Sequence, residues 1–76
     1  MPVGESIFTG IKIIDYRNGR YQGFFNSETD KRQGMGILVD DDMNIYCSEW
    51  EEGRMSGLTF IYTANGHYFY GLWRNN

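Results

Sequence analysis

The chain has 76 residues, a formal net charge of −3, one cysteine (Cys47) and one histidine (His67). It is therefore expected to form one small domain, 1–76, with a single core worth roughly 3–5 kcal/mol at most. An internal disulfide and a His/Cys metal cluster are ruled out as staples, which points to assembly with another protein or with copies of itself. The acidic balance and the scatter of the seven basic residues count against nucleic acid as a partner and disfavour membrane lipid, since both call for a basic stripe. No apolar run is long enough to span a bilayer, and Met1–Ser6 lacks a basic start and an apolar h-region. The expectation is a soluble, cytoplasmic protein.

Helix signals are poor. No window repeats apolar residues at helical spacing, and ten glycines would weaken any helix. Strand signals are strong, with short β-branched and aromatic runs bounded by Gly, Asn, Asp and Ser. Six strands are predicted, over Ile7–Tyr16, Arg20–Asn26, Gly36–Val39, Asn44–Glu51, Leu58–Tyr62 and His67–Arg74. Asn18-Gly19, Glu52-Gly53-Arg54 and Asn65-Gly66 have the chemistry of tight hairpin turns with positive φ. The polar segment Ser27–Gln33 reads as a longer, protruding turn. Short connections make sequential strands antiparallel neighbours, so the predicted fold is an all-β, single-layer antiparallel meander of β-hairpins.

One motif recurs: Tyr21-Gln22-Gly23-Phe24-Phe25, Tyr46-Cys47-Ser48-Glu49-Trp50 and Phe69-Tyr70-Gly71-Leu72-Trp73. Their starts at 21, 46 and 69 lie 25 and 23 residues apart, a period typical of stacked repeats. In a strand, residues i, i+2 and i+4 share a face, so each copy presents two rings with a small residue between them. A ring folded over a bare strand glycine is a known sheet device, and each ring is read first as packing. A single layer has too few residues to cover both faces, however. Phe24, Tyr70 and Leu72 stand on the other side of their strands, with Ile37, Val39, Phe60 and Tyr62 on the partner strands. Some apolar surface is thus expected to stay open for a partner.

These residues resemble the MORN (membrane occupation and recognition nexus) repeat, Tyr-x-Gly-x-Trp followed by a basic turn, Gly-x-Gly and a short apolar strand. Tyr21, Gly23 and Phe25 match the opening, Lys31-Arg32 the basic turn and Gly34-Met35-Gly36 the Gly-x-Gly. The next copy offers Tyr46, Trp50, Gly53-Arg54 and Gly57; the last offers Asn65-Gly66, Phe69, Gly71 and Trp73. Repeats fall at about 20–43, 44–66 and 67–76, with a degenerate half-repeat at 9–19. Phe25 replaces Trp, Ser48 replaces Gly, Phe69 replaces Tyr and Thr59 replaces the second Gly of its copy. The resemblance implies a ribbon of hairpins that is non-enzymatic and serves as a scaffold or adaptor, often in the cytoskeleton or cilium. It also implies protein binding along the aromatic and glycine face, through Tyr21, Gly23, Phe25, Tyr46, Trp50, Phe69, Gly71 and Trp73, or at a sheet edge.

Other constellations read as structure. Asp40, Asp42, Asn44 and Glu51 fit positions of a calcium loop, but Ile45 stands where its sharp turn needs Gly. Gly34-Met35-Gly36 precedes no helix that could hold a phosphate and reads as a strand entry. Cys47 lacks an activating base, and Glu51-Glu52 point to opposite faces. No catalytic residue, metal or cofactor is expected. The alternative function is a peripheral phospholipid tether, with Lys31, Arg32 and Arg54 on one rim.

Overall fold

The structure, a computed structural model, describes residues 11–74. Six strands follow one another: β1 (Ile11–Tyr16), β2 (Gly19–Asn26), β3 (Lys31–Asp40), β4 (Ile45–Glu51), β5 (Arg54–Tyr62) and β6 (Tyr68–Trp73). They form one open sheet in the order β1-β2-β3-β4-β5-β6, each strand antiparallel to the next. The fold is the all-β, single-layer meander of hairpins that the turn chemistry predicts. The stretch 7–10, expected as the start of β1, lies outside the described residues, as does the first part of the half-repeat.

Strand ends differ from expectation in an instructive way. β3 starts at Lys31 and β5 at Arg54, well ahead of the predicted Gly36 and Leu58. Gly34 and Gly57 have φ of 95° and 76°, and they sit inside the strands as bulges rather than at strand entries. The ladder runs Gly23↔Gly36 and then Phe25↔Arg32, and likewise Cys47↔Phe60 and then Glu49↔Ser56. Extra residues on β3 and β5 are absorbed there and pairing resumes beyond them. The protruding turn accordingly shrinks to residues 27–30. Asn26 Oδ1 accepts the backbone N–H of Glu28 at 2.9 Å, and the Asn26 carbonyl accepts that of Asp30 at 2.8 Å.

The tight turns separate into two kinds. Glu52 and Gly53 both take positive φ, 54° and 84°, as a type I′ hairpin demands. Gly66 has φ 95° and donates to the Thr63 carbonyl at 3.0 Å. Asn18-Gly19 departs from the expectation, since neither residue has positive φ. Gly19 instead pairs with Tyr16 and Asp40, and a Cβ there would lie 2.7 Å from the Val39 carbonyl oxygen. Crowding between strands, not turn conformation, is what requires glycine at that position.

Register places the repeat on one side of the sheet. Ile14, Tyr21, Leu38, Tyr46, Ile61 and Phe69 form one continuous cross-strand row. Tyr21, Phe25 and Trp50 are the buried core of this ring face, and Ile14, Leu38, Tyr46 and Met55 pack against them. The Tyr21 and Trp50 rings meet edge to face at 5.7 Å and 88°, a geometry worth about 0.5–1.5 kcal/mol beyond burial.

Candidate functional site

Each repeat copy treats its central notch differently. In the first, the Tyr21 ring lies over Gly36 and its hydroxyl reaches Gly23, so a Cβ at either glycine would run into Tyr21. The hydroxyl donates to the Phe24 carbonyl at 2.6 Å. Burial pushes the Tyr21 phenol up to about 12, although the Arg32 charge pulls the other way. Trp50 closes the same cell from β4, its Nε1 donating to the Gly36 carbonyl at 3.1 Å.

In the second copy Ser48 and Thr59 fill the notch. Both are fully buried, and their hydroxyl oxygens lie 2.6 Å apart. Two Cβ atoms now stand where Gly23 and Gly36 left bare backbone. Tyr46 reaches toward the β3–β4 turn instead, its hydroxyl donating to Asp40 Oδ2 at 3.0 Å. Burial raises the Tyr46 phenol, and the bond to Asp40 raises it further. For Asp40, burial works upward, but hydrogen bonds from Asn44, Tyr46 and Asp42 hold the carboxyl below its ordinary range. Asp40 Oδ1 accepts the N–H groups of Asp42 and Asn44, both at 2.9 Å, so this carboxylate organises the turn. Among the described residues no three His, Cys, Asp or Glu side chains converge as a metal site.

The third copy is open. Gly71 has only the Trp73 ring near it, at 3.6 Å from the place of a Cβ. Phe69, the counterpart of Tyr21 and Tyr46, is 56% exposed. The eight residues expected to bind protein therefore share the ring face but not its burial. Tyr21, Gly23, Phe25 and Trp50 are enclosed, Tyr46, Gly71 and Trp73 are half-buried, and Phe69 is exposed. The ring face closes over β2–β4 and opens toward β6.

One feature was not legible in the residues beforehand. Arg32, read as a turn cation, lies over the rings of Trp50, Tyr16 and Tyr21 at 4.5, 5.2 and 5.8 Å. It also donates to the Gly53 carbonyl at 2.8 Å. Its pairing with Phe25 across a bulge brings it there, and no local pattern announces a bulge of that size. The opposite face is largely apolar and open, as the alternation predicts, with exposed Gln22 between Ile13 and Ile37. Ile13, Ile37, Phe60 and Tyr70 stand along one row, Met35, Leu58 and Leu72 near the next, and all are exposed, Leu72 by 82%. A groove of about 340 Å³ crosses that face, lined by Ile11, Phe24, Met35 and Ile37 over the Gly23 and Gly36 backbone. Cys47, half-buried, lies on the same side.

No protein-family model matches the chain, and no curated protein matches it.

Proposed function

We propose that the chain is a non-enzymatic interaction scaffold or adaptor of the MORN-ribbon kind, binding an extended protein segment at the β6 edge and the adjoining open part of the ring face. The supporting observation is β6 itself. Tyr68-Phe69-Tyr70-Gly71-Leu72-Trp73 carries no charge and no proline, and among the described strands it pairs on one side only, with β5. Edge strands are ordinarily blunted by lysine, proline or a bulge, because their free N–H and C=O groups template another strand. An unblunted edge flanked by exposed rings suits β-augmentation, with backbone bonds supplying affinity and the rings selecting side chains.

Burial moves the contact residues within the expected set. Tyr21, Phe25 and Trp50 act as the platform, and Phe69, Gly71 and Trp73 as the contact. Replacing Trp50 by alanine would damage the core before it reported on binding. A photo-crosslinking amino acid at Phe69 is the direct test, with one at exposed Glu51 as control. Discrete protein adducts from Phe69 alone support the reading; equal adducts from both positions, or none, overturn it. Of the basic rim proposed for the lipid-tether alternative, Arg54 is exposed, but the other two cations are engaged elsewhere. Arg32 is turned onto the rings, and Lys31 Nζ stands 3.9 Å from Glu52.

A further inference from the structure

Among the described strands, the outer edges of β1 and β6 pair with no neighbour, and they are the two halves of a junction that the molecule already makes twice. β1, β3 and β5 are strands of one kind. Ile13-Ile14, Ile37-Leu38 and Phe60-Ile61 occupy the same place in each, at 24- and 23-residue spacing. Each pairs with its following strand in the same way: Ile14↔Tyr21, Leu38↔Tyr46 and Ile61↔Phe69. β2, β4 and β6 are the complementary kind. β2 and β4 hold β3 and β5 through Tyr21↔Leu38 and Tyr46↔Ile61. The free edge of β6 is the edge that β2 and β4 present to β3 and β5. The free edge of β1 is the edge that β3 and β5 present in return.

We infer that the partner fitted by the β6 edge is β1 of a second copy of this chain, joined head to tail in the register of the internal β2–β3 and β4–β5 junctions. This deepens the proposed function by naming the strand that augments the sheet, and it rests on that reading of the edge. The repeat fixes the pairing as Phe69 opposite Ile14 of the second copy, Tyr70 opposite its Ile13 and Gly71 opposite its Lys12. Ile13 and Tyr70 are 60% and 67% exposed, and pairing would extend the apolar row of the opposite face across the junction. On the ring face, Phe69 takes the place of Tyr21 and meets the Lys12 stem instead of a glycine. The Lys12 ammonium already lies 5.4 Å from the centre of the Phe25 ring. Because the junction joins unlike edges it leaves one of each kind free, so assembly continues as an array unless it closes into a ring.

Disulfide trapping tests both partner and register. In a Cys47→Ser background, four chains are made: Ile13→Cys, Ile14→Cys, Phe69→Cys and Tyr70→Cys. Directly opposed residues in adjacent antiparallel strands have Cβ atoms about 4.5–5.5 Å apart. Bonded and non-bonded pairs alternate along the ladder, so one of the two neighbouring pairs offers the closer geometry. Mixing Ile13→Cys with Tyr70→Cys, or Ile14→Cys with Phe69→Cys, should give mixed disulfide dimers under mild oxidation, and each chain alone far fewer. The parent chain should sediment as a concentration-dependent series of multiples. Dimers of Tyr70→Cys with itself in equal yield would mean like-to-like edge pairing and overturn the inference. A parent chain that stays monomeric to millimolar concentration would also overturn it. Adducts from Phe69 to another protein, with the chain itself monomeric, would leave the adaptor reading standing and remove only the self-association.

Discussion

The Tyr21 ring over Gly36 makes one hydrogen atom decisive. A methyl group at Gly36 would have to displace the ring or its hydroxyl, because the neighbouring atoms are the body of an enclosed side chain. Gly36→Ala is expected to cost about 1–3 kcal/mol through overpacking. In a domain of this size each kcal/mol lowers Tm by about 4–8 °C. Gly71→Ala provides the contrast, since its methyl group would meet only the Trp73 ring at 3.6 Å, an ordinary contact. Gly71→Ala should leave Tm within a few degrees of the parent. Thermal melts followed by circular dichroism compare the two, and equal losses would show that ring cover is not what demands glycine. Gly36 closes the Gly-x-Gly and Gly71 centres an aromatic copy. What separates them in the fold is whether an enclosed ring fills the place of the Cβ.

At the scale of elements, that same dependence on neighbours explains what could be read in advance. Alternation in Tyr21-Gln22-Gly23-Phe24-Phe25 determines which side chains share a face, and the structure keeps that assignment across the sheet. Strand number and order also follow, because each connection is short and polar. The extents of β3 and β5 were hidden, since Gly34 and Gly57 resemble boundaries while serving as bulges. The Ser48–Thr59 pair was hidden as well, because each residue looks like a mere departure from glycine until the fold brings their hydroxyls together beside the β4–β5 bulge. Their joint burial is open to test. Thr59→Val strips a fully buried hydroxyl of its partner at 2.6 Å, which costs about 1–3 kcal/mol. Ser48 keeps a bond to the Glu49 carbonyl at 2.8 Å, so the cost should fall at the lower end. Replacing both, with Ser48→Ala added, should cost less than the sum of the single changes. A double-mutant cycle in urea measures the coupling, expected at 0.5 kcal/mol or more. Strict additivity would mean that the two hydroxyls are satisfied independently.

For the molecule as a whole, a ribbon one layer thick concentrates its stability in a few places, and Tyr21 lies at the centre of the main one. It is 0% exposed, touches Trp50, covers the glycines of two strands and lies under Arg32. Burial disfavours the phenolate, lifting the folded pKa from 10.0 to about 12. Protonated Tyr21 therefore favours the folded state fully below pH 10, the unfolded value. That contribution is lost as pH rises through the interval to about 12. The parent protein should accordingly lose denaturant resistance steeply above pH 10. Tyr21→Phe should start lower at neutral pH, by about 1 kcal/mol for the lost bond to the Phe24 carbonyl, and then decline more gently across the same interval. Urea midpoints at pH 8, 10, 11 and 12 for both chains decide the matter. Curves that remain parallel would place the alkaline weakness elsewhere, and the enclosed phenol would then not be what limits the ribbon at high pH.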